Sequence, residues 1–273
     1  SIVALTAGGQ TAGARRVVEA LAALENGTGR LGFSYRLGGP GSDDPSILTG
    51  TTAWVIDSIV YYMQATGDHR FVDMARRLSN TLLSFQDPQT GLFKGGQRAD
   101  GTPILWTSTE HNIDAYFAFR DLGALTGDAR YTAVANQIRD GIIRHLWMEA
   151  QGRFRNGIND DTAVLDTQAW GGLFWLAVGH EANARRALHY LDQDQTFRRT
   201  VTVNGQPLVG YVPFARDGAQ AVWTEGMGFV ALLKRRLGDT AGADRISRDM
   251  ERLQATSGGL LYVSTTYQSL EAL

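Results

Sequence analysis

An internal repeat is the feature that most constrains how this 273-residue chain can fold. Thr52, Thr109, Asp166 and Trp223 follow one another at equal steps of 57 residues (109−52, 166−109 and 223−166), and each lies at the start of an apolar, helix-like run. A constant period of this length is typical of repeat architectures, in which one supersecondary unit recurs along the chain. Helix starts from several repeats can therefore converge on one place.

Each repeat predicts two helices of different character. The first is apolar on most faces, as a buried inner helix is, and the second is amphipathic and bears several Arg residues, as an outer helix does. The predicted inner helices cover residues 53–66, 110–126, 167–179 and 224–237, and the predicted outer helices cover 14–24, 70–85, 129–147, 181–191 and 241–253. Residues 2–7 and 265–273 predict the end and the start of two further inner helices.

The connections alternate between tight turns and long loops. The tight turns carry Gly, which suits the residue after a helix, and most continue with Asp, which caps the next helix, as in Gly67-Asp68 and Gly127-Asp128. Each long loop contains Gly followed by an aromatic residue and predicts a short β-hairpin. The sequence therefore predicts an all-α (α/α)6-type toroid, a single domain over residues 1–273 whose end hairpins are incomplete. A concave site is expected at the long-loop end, where the inner helices begin.

Composition and short motifs exclude several classes of function. A net charge of −2 offers no basic stripe for nucleic acid. No apolar run approaches the ~18–20 residues that a membrane span requires. The chain has no Cys, and its five His lack the H-x-x-x-H spacing of a zinc site. Phosphate-loop and dinucleotide motifs are missing too, so we expect neither a metal nor another cofactor.

Three carboxylates at predicted inner-helix starts are the candidate catalytic residues. Glu110 lies in a polar cluster at the head of an otherwise apolar helix, Asp166 opens the next inner run, and Glu225 precedes a glycine that permits close approach. Each is also an ordinary residue for a helix start, because the helix dipole favours acids there. Further carboxylates expected near this rim are Asp43, Asp44, Asp160, Asp161 and Asp217.

Aromatic residues at the same level of successive repeats are candidate substrate contacts. Sugar rings present apolar C–H faces that stack on flat side chains, and Trp54, Trp106, Trp170 and Trp223 lie at or near the heads of inner helices. Trp147 and Trp175 lie elsewhere and are expected in the core.

Three polar residues complete the predicted binding set. His111 follows Glu110 directly, and Asp57 and Asp114 lie one turn inside their helices at matching repeat positions. Each of the two acids either points into the barrel or caps a buried network. His111 either binds substrate or satisfies a local hydrogen bond.

This layout resembles the six-hairpin (α/α)6-toroid glycosidases, without matching one specific family. The resemblance covers most of the chain as repeat architecture, with local support from segments 109–112, 166–170 and 223–226, which are similar to the acidic, aromatic helix heads that line the catalytic funnel of such enzymes. It implies a glycoside hydrolase acting on an oligo- or polysaccharide by inversion. Glu110 would be the general acid, and Asp166 or Glu225 the base.

Two alternatives stay open on the same fold, because fold alone does not determine chemistry. A polysaccharide lyase or sugar epimerase would need a base that removes a carbon-bound proton and a group that stabilises the resulting anion, for which the candidates are His111, Asn112, Tyr35 and Arg36. A noncatalytic carbohydrate-binding toroid is the other alternative. A carbohydrate substrate leads us to expect a secreted or periplasmic protein; the sequence predicts no oligomeric state.

Overall fold

A computed structural model describes residues 1–36, 41–193, 196–215 and 221–264. The predicted inner helix at 265–273 and the predicted rim carboxylate Asp217 lie outside the described residues. The chain divides into two compact units, Ser1–His145 and Leu146–Leu273, which are called the first and second unit below.

The first unit consists of helices with short strands between them. Its helices are α1 (Ile2–Ala7), α2 (Thr11–Glu25), α3 (Thr49–Thr66), α4 (Val72–Leu83, preceded by a 3-10 turn at His69–Phe71), α5 (Thr109–Thr126) and α6 (Ala129–His145). Its strands are β1 (Ser34–Tyr35), β2 (Ser42–Asp44), β3 (Ile47–Leu48), β4 (Gly96–Gln97) and β5 (Pro103–Ile104). β1 pairs with β2, and β3, β4 and β5 form an antiparallel sheet in which Gly96 lies opposite both Leu48 and Ile104.

The second unit repeats this plan. Its elements in chain order are β6 (Trp147–Met148), β7 (Arg153–Phe154), α7 (Leu165–Ala177), α8 (Glu181–Asp192), β8 (Arg198–Val203), β9 (Gln206–Tyr211), α9 (Thr224–Arg236) and α10 (Thr240–Glu251). β6 pairs with β7 and β8 with β9, both as antiparallel hairpins in the long loops. The prediction of helical pairs linked by hairpin-bearing loops is therefore confirmed.

Tight turns join inner to outer helices where the sequence predicts them. Gly67 and Gly127 adopt left-handed conformations (φ 73° and 68°) and donate their backbone N–H groups to carbonyls of the helix that they end. A side chain would be strained at such a φ, which is why Gly stands there. Asp68 and Asp239 then accept backbone hydrogen bonds at the start of the next helix.

Inner helices pack side by side and run parallel, as residue offsets show. A Cβ at Gly226 would lie 2.6 Å from Leu165, and one at Gly172 would lie 2.5 Å from Leu233, so α7 and α9 meet at two points with the same offset of 61 residues. An equal offset along both helices requires a common direction. In the first unit, Gly50 of α3 meets His111 of α5 at that offset too. Glycine at these contacts allows the helices to approach closely.

Apolar side chains fill each unit behind the helix heads. In the first unit Phe93 stacks on Phe119 at 5.5 Å between ring centroids. In the second unit Trp175 is buried and meets the partly buried Trp147 edge-on at 5.3 Å, so the prediction of a core position is confirmed for Trp175.

Candidate functional site

The second residue of each inner helix is the position where acidic side chains recur. Glu110 takes this position in α5, Asp166 in α7 and Glu225 in α9, whereas α3 has Gly50 there. The residues aligned by the 57-residue period do not occupy equivalent positions in their helices. Thr52 is the fourth residue of α3, Thr109 is the first of α5, and Trp223 precedes α9. The expectation that Thr52 opens its helix was wrong, because α3 begins three residues earlier.

Backbone hydrogen bonds dock the helix starts against neighbouring loops. The N–H groups of Thr49, Leu165 and Thr224, each the first residue of its helix, donate to loop carbonyls at 2.9–3.0 Å. One of the orphan donors at each of these helix starts is thereby satisfied. In α7 and α9 the next residue is the acid, Asp166 or Glu225, so this hydrogen bond fixes the position of the acid relative to the loop.

Asp166 and Glu225 form an acid pair within the second unit. Asp166 is partly buried and accepts a hydrogen bond from the Thr167 backbone N–H at 2.6 Å, whereas Glu225 is exposed. The pKa of Asp166 is raised to about 6, mainly by burial and in addition by the negative charge of Glu225. Asp166 therefore holds a proton more tightly than an ordinary aspartate, next to a solvent-accessible carboxylate.

Two aromatic rings lie one helical turn beyond this acid pair. Trp170 follows Asp166 by four residues on α7, and Phe229 follows Glu225 by four on α9, which places each ring on the same helix face as its acid. The two rings lie 5.2 Å apart between centroids, tilted by 44°. Phe229 was not among the predicted residues, although its spacing from Glu225 matches that of Trp170 from Asp166.

Trp223 differs from the other predicted aromatic contacts. It is only 9% exposed, belongs to the hydrophobic core of the second unit and packs edge-on against Phe229. The interpretation of Trp223 as a sugar-stacking surface was wrong, because its face is covered by core residues. Its indole N–H and the Thr224 hydroxyl are buried without a hydrogen-bond partner in the described part of the chain.

In the first unit, His111 lies between a helix start and an exposed tryptophan. A Cβ at Gly50 would lie 2.7 Å from the His111 Nε2, and the Trp106 ring centroid is 5.1 Å from the imidazole. Burial lowers the pKa of His111 to about 4, so the ring is neutral at neutral pH. Its Nδ1 is buried without a hydrogen-bond partner among the described residues.

The first unit has two exposed tryptophans near its inner-helix heads, of which Trp106 contacts this histidine. Trp106 is 48% exposed, and Trp54, four residues after Gly50 on α3, is 39% exposed. Gly95 leaves room for the Trp106 ring, since a Cβ there would lie 2.8 Å from it. These two side chains can offer flat apolar surface to a ligand, as the sequence predicts. Glu110, the neighbour of His111, is partly exposed.

Asp57 and Asp114 lie deeper than the helix heads. Asp114 is 5% exposed, which leaves almost no surface for a substrate, and the prediction that it contacts substrate is not supported. Asp57 is partly buried, and its pKa is raised to about 6 by burial first and then by the negative charge of Asp121 on α5. Asp121 is held in turn by Arg120 at 2.6 Å. Asp57 therefore belongs to a carboxyl pair that sequence periodicity did not reveal.

Two buried amide side chains anchor the loops to the acidic helix heads, and of these Gln168 was not among the predicted residues. Asn112 accepts a hydrogen bond from the Phe93 backbone N–H at 2.7 Å and donates to the Phe93 carbonyl at 3.0 Å. Gln168 makes the same two contacts with Phe154, at 2.8 and 2.9 Å. Because both amides are fully buried and occupied, Asn112 has no free group for the chemistry of a lyase or epimerase. The signal in the sequence is an amide two residues after the acid.

No group of three or more His, Cys, Asp or Glu in the described residues is arranged to hold a metal ion. Within the same residues, no helix combines the length and apolar character needed to cross a membrane.

The sequence matches no protein-family model and no curated protein sequence. Similar solved structures include D-mannose isomerase (TM-score 0.66, 14% identity, covering 96% of this chain and 75% of that one) and cellobiose 2-epimerase from Bacillus thermoamylovorans (0.71, 9%, 96% and 77%). A glycosidase is similar at a TM-score of 0.66 and 18% identity, covering 96% of this chain and 74% of that one. At such low identity the likeness shows the fold alone, which is an all-α fold of the (α/α)6-toroid type. The chain spans about three quarters of the length of these three structures.

Proposed function

We propose that the chain is a carbohydrate-active enzyme that hydrolyses glycosidic bonds, with Asp166 and Glu225 as its acid pair. The observation that carries the proposal is the pairing of a proton-holding Asp166 with an exposed Glu225 at the heads of two packed parallel helices. Glycoside hydrolysis uses two such carboxyl groups, one protonated and one ionised. Similar folds among glycosidases support this chemistry at the level of the fold.

Asp166 is proposed as the general acid. A carboxyl group whose pKa is raised to about 6 keeps its proton in mildly acidic solution and can deliver it to the leaving oxygen, whereas Glu225, exposed to solvent, can activate a water molecule as the base. This assignment moves the acid from Glu110, where the sequence alone predicted it, to Asp166. Trp170 and Phe229, on the same helix faces, would contact the apolar face of the sugar.

The experiment is a screen of oligo- and polysaccharides for release of reducing ends, with Asp166→Asn and Glu225→Gln as test variants. We expect each variant to lower kcat by about 10²–10⁴-fold, the usual contribution of a general acid or base. Glu181→Gln is the matched control, because Glu181 is also a first-turn acid but opens the outer helix α8. Glu110→Gln, assayed beside them, tests the remaining prediction that Glu110 is the acid.

Unchanged turnover in both Asp166→Asn and Glu225→Gln would overturn the proposed pair. The anomeric form of the first product, read by NMR, tests the expectation of inversion. Retention would instead make Glu225 a nucleophile.

A sugar epimerase or isomerase is the second candidate, because His111 follows Glu110 and its buried Nδ1 has no hydrogen-bond partner among the described residues, although burial makes the imidazole a weaker base than an ordinary histidine. Solved structures of an isomerase and an epimerase share the fold. Incubation of free mono- and disaccharides in D₂O, followed by NMR of the C2 position, distinguishes epimerisation or isomerisation from hydrolysis. Deuterium incorporation that His111→Gln abolishes and Asp166→Asn leaves intact would favour this candidate over hydrolysis.

A further inference from the structure

Two exposed aromatic side chains of the second unit lie beside the heads of the acid-bearing helices and have no part in the proposed chemistry. Phe214 is 36% exposed and Tyr262 is 61% exposed. Both belong to long loops, in segments 212–215 and 252–264. What distinguishes them from other exposed apolar residues is their backbone pairing with the residues that precede Asp166 and Glu225.

Phe214 is paired with the residue that directly precedes α7. It forms an isolated antiparallel bridge with Val164, the N-cap of α7. Backbone hydrogen bonds of 2.9 and 3.4 Å join the two segments on either side of this bridge. In such a pair the two residues do not bond to each other and their side chains lie close together, with Cα atoms about 4.5 Å apart. Phe214 is therefore held across from a residue two positions before Asp166.

Tyr262 is fixed to the start of α9 in the same way. The bridge here joins Trp223, the N-cap of α9, to Val263, and the Thr224 N–H donates to the Tyr262 carbonyl at 3.0 Å. Trp223 and Val263 both belong to the buried core of the second unit. Successive side chains of an extended segment point to opposite faces, so the ring of Tyr262 leaves the core, in keeping with its exposure. Because Thr224 directly precedes Glu225, Tyr262 stands beside the second acid.

The acid pair consequently lies between two aromatic levels. Trp170 and Phe229 lie four residues further along their helices than the acids, about 6 Å along the helix axis. Phe214 and Tyr262 lie on the other side of the acids, where the loops meet the helix starts. Flat rings on both sides of two carboxyl groups suit a ligand that has a sugar on each side of the bond to be cleaved, because each sugar offers an apolar C–H face.

We propose that Phe214 and Tyr262 hold the part of the substrate on the loop side of the acid pair, so that the protein acts on oligosaccharides extending past the cleaved bond in both directions. This inference rests on the proposed hydrolysis at Asp166 and Glu225, and it identifies the substrate as a sugar chain instead of a single glycoside. Phe214 and Tyr262 are specificity-determining residues in this arrangement. Removal of either ring therefore weakens the binding of long chains and spares that of single sugars.

The test is calorimetric titration of the whole chain carrying Asp166→Asn, which removes the proposed acid, with malto-, cello- and manno-oligosaccharides of one to six units. We expect the Kd of the series that binds to fall as the chain lengthens. Phe214→Ala and Tyr262→Ala, each added to this background, should raise the Kd of the longer chains about 2- to 10-fold, as loss of one aromatic contact does, and leave that of the monosaccharide unchanged. Tyr262→Phe keeps the ring, so its Kd values should equal those of the background.

Phe33→Ala is the matched control, since Phe33 is an exposed loop Phe of the first unit that forms no bridge with an inner-helix start among the described residues. The proposal is overturned if no series binds more tightly as it lengthens, if the alanine variants weaken the binding of single sugars and long chains equally, or if Phe33→Ala weakens binding as much as Phe214→Ala. Binding that depends on chain length and on both rings, without release of reducing ends by the wild type, would instead overturn the proposed hydrolysis alone.

Discussion

At the scale of single residues, burial and neighbouring charge decide which acids hold protons. Asp57 and Asp166 both have pKa values raised to about 6, each by burial and by a nearby carboxylate. Asp68, in contrast, meets Arg70 at 2.7 Å, and this contact holds the pKa of its carboxyl well below the usual range. Acids of identical type thus differ in protonation because their partners differ.

Asp57 should make the folded state less stable as the pH rises. Its pKa is higher in the folded than in the unfolded chain, so its contribution is fully present below about pH 4 and is lost as the pH rises through about 6. Asp57→Asn places a neutral amide where the protonated carboxyl stood. We expect the variant to keep more stability than the wild type between pH 5 and 7, by on the order of 2 kcal/mol.

Urea unfolding at pH 4.5 and pH 7.5 measures this difference, with Asp140→Asn as the control for an exposed acid. If the free energy of unfolding of Asp57→Asn and of the wild type changes equally between the two pH values, Asp57 does not hold the extra proton.

At the scale of elements, the long loops before α5 and α7 are tied to the helices that they precede. Amide clamps by Asn112 and Gln168 hold Phe93 and Phe154 in place behind Glu110 and Asp166. Gly50 leaves room for His111, and Gly226 leaves room for Leu165. Helix heads, loops and glycines together position the acids, and the two glycine contacts join residues that are four positions apart in the 57-residue alignment, about one helical turn.

Gln168→Leu tests the clamp. It leaves the backbone N–H and C=O of Phe154 buried without their partners, which should cost about 2–4 kcal/mol of folding free energy. Hydrogen exchange of the Phe154 amide should accelerate more than exchange in α8. Gln168→Glu keeps an acceptor for the N–H but would bury a carboxylate against the Phe154 carbonyl, so at neutral pH its cost should be at least as large.

Gln151→Leu, the same exchange at an exposed position between β6 and β7, is the control. If Gln168→Leu costs no more stability than this control, the two hydrogen bonds of Gln168 do not hold the loop.

At the scale of the whole molecule, ten helices in the described residues follow one plan of parallel inner helices and returning outer ones. The same plan occurs in solved isomerases, epimerases and glycosidases. Chemistry on such a scaffold is decided by the few side chains at the helix heads. The pH dependence of activity is therefore the property that reports on them in the intact protein.

Hydrolysis by the wild type should decline as the pH rises through about 6. Asp166 must carry its proton to act as the acid, and it loses that proton over this range. Glu225→Gln removes the negative charge that helps to retain the proton, so the alkaline limb of the residual kcat/KM should move to lower pH. If the alkaline limb does not move in Glu225→Gln, the charge of Glu225 does not affect the proton on Asp166.

The sequence by itself determined the elements of this protein. The helical spacing of apolar residues, the Gly turns and the Asp caps are local signals in the sequence. For that reason nearly every predicted helix appears within a few residues of its predicted ends, including α1 at Ile2–Ala7 and α5 at Thr109–Thr126. Glu110, Asp166 and Glu225 were also correctly placed at helix starts, since capping preferences depend on neighbouring residues only.

Only the tertiary structure decided which side chains meet. The burial of Trp223, the carboxyl pair of Asp57 and Asp121, the partnership of Phe229 with Trp170 and the use of Asn112 as a clamp all depend on contacts between distant segments. The glycine contacts between packed inner helices follow a 61-residue offset, not the 57-residue period of the sequence. Protonation and exposure, which govern the proposed chemistry, arise from that packing and cannot be read from local pattern.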